Sequence, residues 1–217
     1  MKKVILKSAL ITLAAIIAVA LIVYGVFAFF FPASLARGYR GVSNYSVALK
    51  YSERAYRKSG DYNDLLTVVN DAIDSSNGEK ITEYAEKALL NRDLSLSERC
   101  RISESYCLAL YKYNYKNYSP KLAFERALNV AAQTVGEPYY VGYIEGNPLR
   151  SLLMACVSDC NGLLTNGNTV SDEKAQYLTL INQELCELEK TQLPSAQKAL
   201  LNNDITMLGE FISRVQK

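Results

Sequence analysis

The feature that most constrains this chain is a run of 23 residues without a charge, from Ala9 to Phe31. An α-helix rises about 1.5 Å per residue, so this run would extend about 35 Å and cross a hydrocarbon core of about 30 Å. Helices of water-soluble proteins are rarely apolar on every face over such a length. The sequence therefore predicts one transmembrane helix at 9–31, preceded by a basic tail at 1–8.

A cleaved secretory signal is the alternative, because Lys2 and Lys3 form a short basic leader. The apolar region of a signal peptide spans only about 7–15 residues and ends in small side chains. Here the run is longer and closes on three phenylalanines, with the one passable cleavage site at Ser34 to Ala36. We therefore favour an uncleaved, single-pass membrane anchor.

The orientation of the anchor rests on nearly balanced flanking charges. Lys2, Lys3 and Lys7 precede the span, whereas Arg37, Arg40 and Lys50 follow it. A short charged N-terminal tail usually stays cytoplasmic, and a long C-terminal domain crosses largely regardless of its own charge. We expect a cell-membrane protein with a cytoplasmic N-terminus and an extracytoplasmic C-terminal domain.

The rest of the chain offers little for catalysis. Beyond residue 31 there are 21 basic and 22 acidic side chains, which disfavours nucleic acid as a partner. The chain has no histidine, the commonest general acid–base group, and no glycine-rich phosphate loop. Acidic residues such as Glu184 and Glu187 are interpreted as a solvated face. We expect no enzyme, and no catalytic, cofactor or metal site.

Five cysteines are present in the sequence, an odd number without a Cys-x-x-Cys motif: Cys100, Cys107, Cys156, Cys160 and Cys186. The first two are seven residues apart and the next two are four apart, so each pair would share one helix face. We interpret them as small buried hydrophobic side chains. A disulfide between helices remains the alternative if the domain lies in an oxidising compartment.

Apolar spacing of the helical kind continues to the C-terminus, with breaks rich in Gly, Asn, Asp and Pro. No sustained alternation indicates a sheet, so the fold class is all-α. We predict a soluble domain at 32–217, with helical hairpins at about 33–58, 61–91, 95–133 and 146–190 and C-terminal capping helices at 194–216. A break at Asn202 and Asn203 divides the last part, giving four helices after residue 146.

One pattern recurs three times, as a turn followed by a helix with aromatic, small, acidic and basic residues in similar order. The three helical segments are Tyr51 to Tyr56, Tyr84 to Leu89 and Ala123 to Leu128, and an asparagine turn precedes each. Recurrence at this spacing is typical of stacked helical hairpins. We expect the alanines to face neighbouring helices and the Glu-Arg or Glu-Lys steps to face solvent.

These segments resemble the tetratricopeptide repeat family. Its pattern places a tyrosine near the end of the first helix, then Gly-x-Tyr, then alanine, an aromatic residue and a second alanine in the next helix. The matching residues at 33–58 are Tyr39, Asn44, Tyr45, Ala48 and Ala55; later units keep Ala88, Phe124 and Ala127. The resemblance covers about half of the soluble chain. It implies antiparallel hairpins stacked as an α-solenoid with a peptide-binding surface.

Sixteen tyrosines are the unusual feature of the composition. Tyr139, Tyr140 and Tyr143 fall in the long connection between Gly136 and Pro148, and long connections often carry function. Tyrosine suits recognition surfaces because it combines a large apolar ring with a polar tip. We predict these three as partner-binding residues, with packing against the neighbouring hairpins as the alternative.

Together these features favour a membrane-anchored interaction or scaffold module. It would bind a peptide or protein partner at the membrane surface and contact the lipid bilayer through its anchor. Two alternatives are a structural subunit of a membrane complex and a carboxylate-dependent hydrolase of the cell envelope.

Overall fold

The computed structural model describes residues 2–91, 93–114, 116–135 and 148–215 of the 217-residue chain. Ten α-helices and no strand occur in these ranges, which confirms the all-α class. The chain divides into two compact units, Met1–Ser76 and Asn77–Lys217. The boundary falls inside the predicted hairpin at about 61–91.

The first unit contains four helices: α1 (Lys2–Phe30), α2 (Pro32–Gly41), α3 (Tyr45–Ser59) and α4 (Tyr62–Asp74). Within α1, the segment Leu10–Phe30 is long and apolar enough to cross a membrane, and none of it is buried in the protein. Proline at the first position of α2 favours a new helix there, since its missing N–H costs nothing at a helix start.

Helix ends in the first unit follow from capping residues. Asn44 caps α3 by accepting a hydrogen bond from the Val47 amide, and Asp61 caps α4 through the Asn63 amide. Gly60 ends α3 in the left-handed conformation, at φ 65°, which glycine adopts without steric cost. α2 packs on α3, α3 packs on α4, and α1 contacts α2.

The second unit contains six helices: α5 (Gly78–Leu89), α6 (Leu96–Tyr113), α7 (Pro120–Val135), α8 (Pro148–Thr165), α9 (Asp172–Glu189) and α10 (Ser195–Val215). α6 is central, since it packs against α5, α7 and α8. α9 in turn packs against α7, α8 and α10. This network buries a core of mostly Leu, Ile, Ala, Cys and aromatic side chains.

The cysteines belong mainly to this core. Cys100, Cys107, Cys156 and Cys160 are buried, Cys186 is half-buried, and all five are free thiols. The Cys107 thiol donates to the Ala127 carbonyl oxygen at 3.6 Å and thereby joins α6 to α7. Burial raises the pKa of the four buried thiols, so they are poor nucleophiles. The interpretation as core residues is confirmed for these four.

The recurring pattern has a structural counterpart in each copy. Ala55, Ala88 and Ala127 are buried, as expected for positions where helices approach closely. Each copy is a turn followed by a helix, namely α3, α5 and α7. The stacking of these helices as an α-solenoid stays a prediction.

The predicted break at Asn202 and Asn203 is wrong. α10 continues through both residues, so the described chain after residue 147 forms three helices rather than four. Asparagine lowers helix propensity only moderately, whereas the buried Leu201, Asp204 and Leu208 hold this turn in place. Tertiary packing therefore outweighs the local signal.

A candidate partner-binding groove between α5 and α7

Three arginine–carboxylate pairs each join a helix to the next but one. Arg40 of α2 pairs with Asp71 of α4 at 3.0 Å. Glu86 of α5 pairs with Arg126 of α7 at 3.3 Å. Arg150 of α8 pairs with Asp204 of α10 at 3.2 Å. The helices α2 to α10 thus form three consecutive triplets, and each triplet has an ion pair between its first and third members.

The first and third pairs are structural. Asp71 and Asp204 expose 0% and 1% of their side chains, and their arginines are about one-third exposed. Burial raises the pKa of Asp71, and the nearby Ser52 hydroxyl and Arg40 guanidinium oppose that rise. A buried carboxylate without such partners would be strongly destabilising. These two arginines therefore hold their helix triplets together.

The middle pair is open to solvent. Glu86 and Arg126 expose 41% and 39% of their side chains. The hydroxyl of Tyr106, on α6, donates a hydrogen bond to the Glu86 carboxylate. The Arg126 guanidinium also lies over the Tyr118 ring, 4.8 Å from its centroid. Burial and the Glu86 carboxylate both raise the pKa of Tyr106, so its hydroxyl stays protonated as a donor.

Glu86 and Arg126 line a cavity of about 440 Å³, which we call the α5–α7 groove. Apolar and polar side chains from the two helices, and from the residue directly after α5, line it: Glu86, Leu89, Leu90, Leu122, Glu125, Arg126, Asn129, Val130 and Gln133. Leu90 is 79% exposed and Leu122 is 40% exposed at its edge. Sites for ligands and peptide segments are typically of this size and combine apolar walls with a few polar groups.

Local sequence fixes both walls of the groove. Asn77 caps α5, and the following Gly78 lies directly against the Tyr113 ring of α6, where a Cβ would approach within 2.3 Å of a ring carbon. The loop before α7 is fixed by Asn114, whose side chain accepts from the Tyr118 amide at 2.9 Å and donates to its carbonyl oxygen. Ser119 then caps α7 through the Leu122 amide.

The structure brings together residues that the sequence pattern had assigned to solvent. The Glu-Lys step of α5 and the Glu-Arg step of α7 were expected on the solvent side. Glu86 and Arg126 remain about 40% exposed, and they also meet across the groove. Their adjacent positions in the repeated pattern, where Glu86 corresponds to Glu125 and Lys87 to Arg126, were the available signal. Leu90 and Leu122 carried no such signal, because their exposure follows from helix packing.

The predicted partner-binding residues Tyr139, Tyr140 and Tyr143 lie outside the described residues. Among the described residues, no group of three or more Cys, Asp or Glu side chains could hold a metal ion. Burial raises the pKa of Glu184, and the Glu187 carboxylate raises it further, although both residues belong to α9 rather than to the groove.

No protein-family model, curated protein or solved structure matches this chain. The chemistry of the described residues is therefore the basis for assigning a function.

Proposed function

We propose that this chain is a membrane-anchored interaction module, without enzymatic activity, that binds a segment of a partner protein in the α5–α7 groove. The observation that supports it is an apolar groove beside a half-exposed Glu86–Arg126 pair, in a chain whose α1 can cross a membrane. Tethering at a membrane raises the effective concentration for partners in the same membrane.

The groove favours an amphipathic helix as its occupant. Leu89, Leu90, Leu122 and Val130 offer apolar contact along two helices, which suits leucine-sized anchors spaced on one helix face. Its charged lining is two carboxylates and one guanidinium, so a lysine or arginine on the incoming helix would be matched to Glu125. Asn129 and Gln133 can pair with polar groups at the rim.

Site-specific photo-crosslinking in cells tests this proposal on the full chain. A benzophenone amino acid placed at Leu90 or at Leu122 is expected to give a discrete covalent adduct with a protein. Val42 is the matched control, because it is an apolar side chain 73% exposed in the first unit. An adduct at Leu90 that disappears in Leu122→Asp supports the groove as the binding site.

The chemistry of the occupant is tested with synthetic peptides on the purified full chain. Two amphipathic helices, identical except for a lysine or a glutamate beside the apolar face, are compared by fluorescence anisotropy. The lysine peptide is expected to bind more tightly. In the crosslinking experiment, equal adduct formation at Val42, or no adduct at either Leu90 or Leu122, would overturn the proposal and favour a purely structural subunit.

We further propose that the C-terminal domain is extracytoplasmic and the N-terminus cytoplasmic. A cysteine at the exposed Ser213 can be tested with a membrane-impermeant maleimide on intact cells. The half-buried Cys186 is first replaced by serine, because it would otherwise contribute background labelling. Labelling without lysis supports this orientation, and labelling only after lysis supports the reverse.

A further inference from the structure

A row of basic side chains follows one face of α3. Lys50, Arg54 and Lys58 are spaced at four-residue intervals, which places them on neighbouring turns of the helix. All three are exposed. We call these three residues the basic ridge.

Two members of the basic ridge, Arg54 and Lys58, lie against the end of α1. Arg54 donates through Nη1 to the Ala28 carbonyl oxygen at 3.0 Å, and Lys58 donates through Nζ to the Phe30 carbonyl oxygen at 3.3 Å. The last carbonyls of a helix lack intrahelical partners and form the negative end of its dipole. The ridge therefore supplies the polar end of α1 with positive charge.

Three tyrosines meet at α1 one to two helical turns before Ala28 and Phe30. Tyr24 forms hydrogen bonds with Tyr51 of α3 and with Tyr39 of α2, and the rings of Tyr39 and Tyr51 stack with centroids 5.7 Å apart. The segment of α3 between Tyr51 and Lys58 thus contacts the segment of α1 between Tyr24 and Phe30. The N-terminal part of α3, including Lys50, lies at the level of Tyr24.

This arrangement sets where α1 can leave the hydrocarbon. The exposed Lys50 and Arg54 need water or headgroups around them, and tyrosine favours the membrane interface. The hydrocarbon boundary would then lie near Tyr24 rather than at Phe31. The uncharged residues from Ala9 to Val23 extend about 22 Å, and a bilayer accommodates a span shorter than its hydrocarbon core by local thinning.

Charge in the first unit is segregated along the chain. Residues 32–60 contain six basic side chains and one acidic side chain, whereas residues 61–76 contain four acidic side chains and no basic one. The positive charge is therefore concentrated on α2 and α3, the two helices that contact α1 through these tyrosines and basic side chains. Phospholipid phosphates are the anions that surround a helix at this depth.

We propose that the basic ridge binds anionic phospholipid headgroups in the leaflet where α1 leaves the bilayer. This inference rests on the membrane anchor of the proposed function, but not on the α5–α7 groove or on orientation. A Lys or Arg close to an anionic surface strengthens its attraction by about fivefold. Screening by salt weakens this attraction.

Lipid selectivity of the full chain in nanodiscs tests the inference. Electron paramagnetic resonance of spin-labelled phosphatidylglycerol and phosphatidylcholine measures which lipid occupies the protein boundary. We expect a several-fold preference for phosphatidylglycerol at about 0.1 M salt, which falls towards unity at about 1 M. The Lys50→Gln, Arg54→Gln and Lys58→Gln triple variant should lose most of that preference already at about 0.1 M salt.

The matched control removes the same charge from the second unit, at the exposed Lys112, Lys116 and Lys198. It should retain the preference. Lipid binding by Lys50 does not require a contact with α1. Lys50→Gln alone should therefore lose part of the preference for phosphatidylglycerol even if the triple variant is unstable. Incorporation into nanodiscs without selectivity, or equal loss in the control, overturns the lipid site while the anchor stands. Failure to enter nanodiscs overturns both.

Discussion

The Arg40–Asp71 and Arg126–Glu86 pairs occupy the same place in their helix triplets but lie in opposite environments. In the first unit the carboxylate is fully buried, and its ion pair links α2 to α4. In the second unit both partners are about 40% exposed and border the α5–α7 groove. A buried pair holds helices together, whereas an exposed pair contributes little to stability and remains open to a partner.

The largest expected effect comes from breaking the buried pair. Arg40→Met leaves the Asp71 carboxylate without its cation, and we expect the free energy of unfolding to fall by about 3 kcal/mol. Urea unfolding followed by circular dichroism measures this. Combining Arg40→Met with Asp71→Asn should recover much of the loss, because no charge then remains buried. An equal loss in the double variant would contradict the electrostatic explanation.

A second effect tests the close contact between the start of α5 and α6, which positions one wall of the α5–α7 groove. Gly78→Ala places a methyl group against the Tyr113 ring, so the start of α5 or the ring must shift. We expect a loss of about 1–3 kcal/mol, and weaker binding of a peptide in the groove. Gly162→Ala in α8 is the control, because nothing lies within 4 Å of its added Cβ. It should stabilise the chain by about 0.5–1 kcal/mol.

The third effect is a pH dependence that belongs to the buried pair. The pKa of Asp71 is raised in the folded state, so between the unfolded and folded pKa values the folded chain binds more protons. Its contribution to stability is therefore full below the unfolded pKa and is lost as pH rises through the folded pKa.

Asp71→Asn should remove this dependence. We expect the free energy of unfolding of this variant at neutral pH to exceed the wild-type value by up to about 1 kcal/mol, because the amide brings no charge into the buried site. The difference should shrink as the pH falls towards 4. A difference that grows on acidification would show that the carboxylate is favoured in its charged form. Chemical denaturation at several pH values provides the comparison.

The smallest effect on stability is expected at the exposed pair. Arg126→Met should change the free energy of unfolding by less than about 1 kcal/mol, because solvent screens the Glu86–Arg126 attraction. The lysine-containing peptide should bind more tightly, since Glu86 becomes available to its lysine. This change in binding free energy should exceed the change in the free energy of unfolding. A stability loss similar to that of Arg40→Met would remove the distinction between the two regions.

Much of the helical framework could be predicted from local chemistry. Asn44, Asn77 and Gly60 act at helix ends through capping or a left-handed conformation, and these are short-range effects. The signal failed at Asn202 and Asn203, where buried neighbours on α10 decide the outcome. The segment Leu10–Phe30, which is long and apolar enough to cross a membrane, was also visible locally, because length and lack of charge are properties of one continuous run.

The groove could not be predicted in the same way. Glu86 and Arg126 are 40 residues apart, and nothing in the spacing of a helix fixes which side chains of α5 and α7 meet. The repeated pattern did place both on equivalent helix turns, but it assigned them to solvent. The pairing of Arg40 with Asp71 likewise depends on how α2, α3 and α4 pack.

The buried thiols provide the chain with its own reporters of local opening. Cys100 and Cys107 lie in α6 and Cys156 and Cys160 in α8, where alkylating reagents reach them only when the packing opens. Their raised pKa values make the closed state still less reactive. Alkylation rates of the individual cysteines, resolved by mass spectrometry, therefore give a free energy of local opening for α6 and for α8 without any substitution. Cys186, half-exposed on α9, sets the rate of a thiol that needs little opening.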